Sequence, residues 1–394
     1  MNSTAPASKK ALILGAGIGG LMTALFLQEQ GWDIVIYEKK QELSEFGAGL
    51  VLAANALHVL DKLGLAEKVK QAGARVGKAD IRSWQGKAIT AVPVDQQAAL
   101  YGTYSYLIHR AKLQGILVEH LNERATLHMN KRLIALEQAE QSVAVRFEDG
   151  TEDTGHILIG ADGIHSQAAS MLFGRSELRY SGFKALRGIT PYKDQCYLTE
   201  IGGGFEAWGK GKRFGFSQIG ENQVFWFAAI NAAQGAEIVH KKEFVLKQLE
   251  GWHDPIEDVI RATEENSILV HDIYDRKPLA RWSIGRVTLL GDAAHPMLPN
   301  LGQGGAQAME DAYVLTDRLA DVDVNSSDAI RAAFTEYEKI RMPRVYQVVR
   351  HSRRMARLVQ MSNPLGMVLR NQLLSRLPAK LQIKQLDGLL GHRV

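Results

Sequence analysis

The sequence predicts an α/β fold: a Rossmann-like dinucleotide-binding domain with an inserted antiparallel β-sheet and a set of C-terminal helices. Three observations predict it. ALILGAGIGGLMTALFLQEQGWDIVIYE, residues 11–38, reads as strand, G-x-G-x-x-G turn, helix, strand and acid. Residues 180–270 change to a run of short apparent strands, and residues 286–320 return to buried strand, turn and helix. From about residue 327 the pattern is mostly helical, amphipathic and basic.

Each part of the opening stretch has a physical task. Ala11–Leu14 is a short apolar strand. Gly15 allows the sharp turn off it, Gly17 lets the backbone approach a pyrophosphate, and Gly20 lets the helix pack closely on the sheet. With Ile18 and Gly19 they bring a helix start to the phosphates, where free N–H groups and the positive dipole end favour negative charge. The helix Leu21–Gln30 stops at Gly31, the strand Asp33–Tyr37 follows, and Glu38 arrives where a ribose hydroxyl would be bound, with Lys39 beside it. The apolar run follows Lys9 and Lys10, as a secretion signal or membrane anchor would. An anchor needs about 20 apolar residues without such glycine clusters, and a signal needs a cleavage site soon after its apolar core. Neither is expected, and the cytoplasm is the expected location.

Composition bounds the rest. The 394 residues are 46% hydrophobic and 23% charged, which suits a globular chain of two domains or one large domain with an insertion. A formal charge of +4, with basic residues scattered rather than striped, gives no reason to expect nucleic acid. Cys196 stands alone, which excludes an internal disulfide and a C-x-x-C redox pair and leaves a structural thiol. No metal site is implied.

Along the chain, residues 45–65 read as a glycine turn and a helix through Leu57, Leu60 and Leu63, and residues 78–95 as short strands. Residues 105–121 have helical spacing with Arg110 near the start, residues 131–147 read as a hairpin, and 156–166 as a strand running into a glycine turn. GFKALRGIT, CYLTEIGG, KRFGFSQIG and QVFWFAAIN build the inserted sheet, the last two joined by a hairpin loop at Gly220–Asn222. The basic helices around Arg350–Arg357 read as a solvated face.

Three motifs in order carry a family resemblance: the turn Gly15–Gly20, GADGIHS at Gly160–Ser166, and GDAAHPMLPNLGQGGAQAMEDA at Gly291–Ala312. Up to about residue 350 the chain resembles the single-component FAD-dependent aromatic hydroxylases, the group of para-hydroxybenzoate hydroxylase and salicylate hydroxylase. The resemblance implies an FAD-binding domain in three parts, 10–75, 100–178 and 273–325, substrate-domain strands at 76–99 and 179–272, and C-terminal helices at 326–394. It implies non-covalent FAD held by the first turn and Glu38, by the loop Gly47, Ala48 and Gly49, and by Arg110, Asp162 and Gly163. Gly291 and Asp292 would hold the ribityl chain, with Pro296 near the ring edge. Gly302, Gly304 and Gly305 would bring a helix start close to the negative charge of reduced flavin. Asp292 also has the chemistry of a helix N-cap, and Asp162 that of a carboxylate that only holds its turn. His295 is assigned packing or a local hydrogen bond rather than base catalysis.

The implied reaction takes a hydride from NADPH or NADH, forms a flavin C4a-hydroperoxide with O2, and hydroxylates an aromatic or heteroaromatic small molecule. The nicotinamide cofactor has no Rossmann domain of its own, since no second strand–G-x-G-x-x-G–helix occurs. An epoxidase or a tetracycline-inactivating monooxygenase would carry the same motifs, and a binding protein that had lost redox function would keep the fold. Arg187, Arg213, Phe216, Gln218, Phe225 and Trp226 are expected to roof the substrate, with Arg213 and Trp226 as the residues that touch it. A monomer or homodimer is expected.

Overall fold

The computed structural model describes residues 9–43, 49–194, 197 and 201–394; Gly47, Ala48 and Cys196 lie outside them. Lys10–Leu14 is an inner strand of a six-stranded sheet. Asp33–Tyr37 and Ile157–Gly160 flank it in parallel, followed outward by Ala125–His128 and Val287–Leu289, with Ser283–Ile284 antiparallel at one edge. Leu12, Ile13, Ile36, Ile157, Leu158 and Ile159 are all fully buried. Strands covered on both faces read as continuous apolar runs, which is why Lys10–Leu14, Asp33–Tyr37, Ile157–Gly160 and Val287–Leu289 were visible in the sequence, whereas the half-exposed Ala125–His128 was not.

Helix Ile18–Glu29 leaves the first strand through Gly15, whose φ is +101°. A Cβ on Gly15 would sit 2.4 Å from the Ala161 carbonyl oxygen, and one on Gly20 would sit 2.0 Å from the Gly15 carbonyl oxygen. These two glycines let strand, turn and helix close on one another. The helix packs against helices Gly304–Leu319 and Arg110–Glu119.

The second sheet has seven strands, in the order Leu269–Arg276, Leu178–Pro191, Gln223–Asn231, Lys212–Gly220, Gly204–Gly209, Ala79–Ser83 and Ala88–Ala91. It is antiparallel except for one parallel pairing, between Gly204–Gly209 and Ala79–Ser83. One face buries Leu186, Phe214, Phe216 and Trp226 against Val245, Val259 and Ile260 of helices Lys241–Gln248 and Ile256–Ala262.

Two stretches that read as helices begin as strands. Tyr106–His109 pairs antiparallel with Gly49–Leu52, and each runs straight into a helix, at Arg110 and Ala54. The His109 ring switches the first of these: its Nδ1 accepts the Ala111 N–H at 3.1 Å as a helix cap. Arg110 is thereby the first residue of its helix. The chain closes with the 33-residue helix Ser327–Val359, capped by Ser326, and with helices Pro364–Ser375 and Ala379–Leu390.

Because the Gly15 oxygen is backbone, an added methyl at position 20 has nowhere to go. Gly20→Ala is expected to lower the unfolding free energy of the apo-protein by about 1–3 kcal/mol, the scale of overpacking in a tight core. Thermal unfolding of both proteins without cofactor checks it.

Candidate active site

Two adjoining cavities open between the two sheets. One, of about 380 Å³, lies between the glycine turns at 17–19, 291 and 302–305 and the sheet residues Phe183, Arg213, Phe225 and Phe227. The other, of about 600 Å³, runs from Gly15 and Glu38 past Lys39 and Asp162 to His271. Gly17, Arg110, Ala161, Gly163 and Arg187 line both, so the two form one continuous cleft.

The longer, polar half begins at the first glycine turn. Gly17 is extended (φ −73°, ψ 176°), and a Cβ there would meet nothing within 4 Å. The helix start behind it, which lines the cleft, has no side-chain cap among the described residues, as a site left for a ligand would. Glu38 is fixed from both sides, accepting the Ala16 N–H through Oε2 and the Lys40 N–H through Oε1, each at 3.0 Å. Asp162 Oδ2 accepts the N–H groups of Gln167 and Ala168 at 2.7 and 3.3 Å and so caps helix Gln167–Phe173. Its Oδ1 is buried without a hydrogen-bond partner among the described residues, and burial pushes its pKa up. One Asp162 oxygen thus holds the turn, and the other is left without a partner among the described residues. Arg276 steadies the same turn by donating to the Ile164 carbonyl at 2.7 Å.

The shorter half is walled by the motif at 291–312. Gly291 has φ +58°, and its N–H donates to Asp311 Oδ2 at 3.0 Å. The same oxygen shares a 2.5 Å hydrogen bond with His295 Nε2. Asp311 Oδ1 accepts from Arg341 Nε at 2.8 Å, and Glu310 accepts from Arg341, Arg344 and Asn55 at 2.5–2.7 Å. Burial alone would raise the Asp311 carboxyl, but His295 and Arg341 hold it down at about 2. His295 is 3% exposed and lies against Trp282, with ring centroids 5.0 Å apart. It is a positioning residue. Glu310, Asp311 and Arg341 were missed as a unit; the signal was an acidic pair within an otherwise small and apolar helix pattern, MEDA.

Asp292 differs from its neighbours. Neither the turn Gly291–Ala293 nor helix Gly304–Leu319 has a side-chain cap, so Asp292 is not an N-cap. Its carboxylate lines the cavity with no hydrogen bond to any described residue. The surrounding protein raises its pKa, opposed by His295 and Arg110. Gly302, Gly304 and Gly305 line the cavity at the uncapped start of helix Gly304–Leu319, and a Cβ on Gly304 would meet nothing within 4 Å.

The sheet side corrects the expected roof. Arg213 pairs with Ala229, and Gly215 with Phe227, across the hairpin. Strand alternation therefore puts Arg213 on one face with Phe225 and Phe227, and Trp226 on the other. Trp226 is fully buried behind the sheet, donating to Thr263 Oγ1 at 2.8 Å and stacked on Phe214. Phe216 and Gln218 are also turned away, the first in the apolar layer and the second donating to the Tyr197 carbonyl at 3.0 Å. Pro296 is buried and lines neither cavity, whereas Met297 and Pro299 line the smaller one; Gly20 lines neither, since it packs against the Gly15 backbone. Gly15, Ile18, Gly19, Lys39, Gly49, Arg110 and Gly163 all line the cleft.

A cradle that a Cβ would fill at Gly17, two uncapped helix starts and two carboxylates with free oxygens fit a dinucleotide such as FAD. Residues 8–182 and 258–352 match the family described as FAD binding domain, and the chain belongs to it. It is 34% identical over 364 residues to the aurachin C monooxygenase/isomerase of Stigmatella aurantiaca, covering 92% of this chain and 93% of that one. It is 32% identical over 346 residues to the 3-amino-4-hydroxybenzoate 2-monooxygenase of Streptomyces cremeus, covering 87% and 86%. The fold matches the crystal structure of Klebsiella pneumoniae HpxO complexed with FAD and uric acid with a TM-score of 0.90 at 26% identity, over 99% of each chain. The protein is an FAD-dependent monooxygenase.

Gly17→Val is expected to fold, since a Cβ at that position meets nothing within 4 Å, but to lose FAD; the flavin absorbance of the purified variant reads this directly. A second expectation concerns acid. Asp311 holds its proton less tightly folded than unfolded, so its stabilisation is present above the unfolded pKa of about 4 and is lost as pH falls through about 2. Asp311→Asn should be less stable at neutral pH by about 3–5 kcal/mol and should show a flatter loss of stability over that acid window. Denaturant titrations at a series of pH values test both parts.

Proposed function

We propose that the protein hydroxylates a small aromatic or heteroaromatic molecule, using NADPH or NADH and O2. The observation that carries this reading is the apolar pocket of Phe183, Phe225 and Phe227, which opens onto the same space as the flavin-facing glycine turns. Bound FAD supplies hydride acceptance and oxygen activation. The chain supplies position, dryness and charge. The uncapped N–H groups at Gly304 and Gly305 favour negative charge on a ring placed against them. The phenylalanines exclude water and present faces on which a planar substrate can stack.

Arg213 is neutralised by Glu206 at 2.9 Å and lies over the Phe227 ring at 5.0 Å, with its Nε–H unpartnered among the described residues. It offers a directed hydrogen bond rather than a free charge. Arg187 has no carboxylate partner among the described residues; burial and neighbouring Arg110 lower its pKa, so an anionic group of substrate or cofactor would be favoured there. The nicotinamide cofactor would visit the polar half of the cleft rather than a domain of its own. The relatives that carry the names of an aminohydroxybenzoate monooxygenase and of a urate complex support the substrate class. The cytoplasm, and a monomer or homodimer, remain the expected setting. Among the described residues no helix is long and apolar enough to cross a membrane.

A panel of phenols, quinolones, urate-like heterocycles and tetracyclines, scored by stimulated NAD(P)H oxidation and product mass, tests the reading. A product heavier by one oxygen supports it; a panel that stimulates nothing counts against the substrate class. With the substrate so found, Arg213→Ala should keep FAD and basal NAD(P)H oxidation. Its KM should rise about 10–100-fold, or hydrogen peroxide should replace product, on the scale of a lost charge-assisted hydrogen bond. Trp226→Phe should leave KM and coupling unchanged and cost about 1 kcal/mol of stability.

A further inference from the structure

The C-terminal helices carry a surface that the proposed reaction does not use. Helix Pro364–Ser375 is anchored on one side by Arg370, which is 4% exposed, donates to the Leu358 carbonyl at 3.0 Å and lies over the Trp208 ring at 4.8 Å. Its opposite side shows Leu365, Val368, Leu369 and Leu373 at 82, 56, 58 and 62% exposure. Their spacing, i, i+3, i+4 and i+8, sets them in one stripe along the helix. Arg376 prolongs that stripe by a turn, and exposed Lys380, Leu381 and Lys384 follow on helix Ala379–Leu390.

The charge of the segment that carries this stripe is strongly of one sign, with exposed Asp387 near the end of helix Ala379–Leu390 as its first acid. From Lys339 to Leu386 the sequence has eleven Lys and Arg and no Asp or Glu. Arg341, Arg344 and Arg353 are committed to the carboxylates of Glu310, Asp311 and Asp275. Arg354, Arg357, Arg376, Lys380 and Lys384 are exposed and form no ion pair among the described residues.

We propose that this face docks on an anionic phospholipid membrane, with the stripe of helix Pro364–Ser375 in the boundary between headgroups and acyl chains. An apolar stripe bordered by cations is the pattern of a helix that lies in a membrane interface. Twelve residues of helix reach about 18 Å, too short for a hydrocarbon core of about 30 Å, so the helix lies on the surface and does not span it. A second copy of the chain is a poorer occupant. A two-fold contact would place these cations against the same cations of the other copy, with Asp387 as the one acid on helices Pro364–Ser375 and Ala379–Leu390 to offset them.

Cosedimentation of the holoenzyme with vesicles tests the proposal, using phosphatidylcholine alone and phosphatidylcholine mixed with an equal part of phosphatidylglycerol. The holoenzyme is expected to pellet with the mixed vesicles at low salt, to bind pure phosphatidylcholine about tenfold less, and to be weakened by salt of about 0.5 M. The pair Leu369→Gln/Leu373→Gln and the triple Arg376→Gln/Lys380→Gln/Lys384→Gln should each lower partitioning about tenfold. Their FAD content and basal NAD(P)H oxidation should match the parent, which shows that the fold is intact. A holoenzyme that stays in the supernatant with mixed vesicles overturns the proposal, as do variants that bind like the parent. A dimer in sedimentation velocity that the leucine pair dissociates would assign the face to a second copy instead, and binding only to an acidic protein would assign it to that class of partner.

Discussion

The active-site wall depends on one buried carboxylate. Asp311 sits within helix Gly304–Leu319, and its two oxygens reach in different directions. Oδ2 holds the Gly291 N–H and His295, which fixes the loop that turns Asp292 toward the cleft. Oδ1 holds Arg341 of the 33-residue helix, and Arg341 also clasps Glu310 and Gln307. Loop, helix start and C-terminal helix, far apart in sequence, are thereby set in one geometry. Such a network is a poor source of net stability, because removing buried ions from water costs several kcal/mol each, about what their attraction returns. What it supplies is uniqueness of position. Leaving one member unpaired is costly, so the loop has no second arrangement of similar energy.

The glycines show the same division between what the protein fills and what it leaves open. At Gly15 and Gly20 a Cβ would collide with backbone oxygen, and the need is internal. At Gly17 and Gly304 a Cβ would meet nothing, although both stand at helix starts whose N–H groups have no cap. Nothing within the chain demands glycine by contact there, and both positions line the cleft. The two kinds look alike in a G-x-G-x-x-G string and separate only in three dimensions.

That separation marks how far the sequence could be read. The four central parallel strands were legible because strands buried on both faces are continuous apolar runs, while the half-exposed outer strand Ala125–His128 was not, and the three glycine motifs fell mostly on the cleft lining. Strand Tyr106–His109 was not, since Tyr106, Leu107 and Ile108 fit a helical spacing as well as a strand, and only pairing with Gly49–Leu52 decides between them. The face of the inserted sheet was lost to a single unit of register. Gly220, Glu221 and Asn222 all have positive φ, and a register shift lies between Gln218 and Gly220, so the hairpin loop does not announce which residues oppose one another. Once Arg213 is known to pair with Ala229, parity alone puts Phe225 and Phe227 beside it and sends Trp226 behind the sheet.

The two arginines on that sheet differ in a way that bears on selectivity. Arg213 carries its counter-charge with it in Glu206 and rests on an aromatic ring, so a neutral planar ligand meets no unbalanced ion beside it. Arg187 is opposite Phe227 on the neighbouring strand and is crowded by Arg110 rather than relieved by an acid. On the proposed function, an apolar pocket lined by the paired Arg213, by Arg187 and Arg110 and by the Asp292 carboxylate would favour a molecule that is mostly aromatic and bears negative charge at the edge near Arg187. Arg187 stands where the two halves of the cleft meet, so the same charge that would orient a substrate edge also lies within reach of whatever fills the polar half. Coupling between the two occupants would then follow from a shared ion, without any movement of the fold.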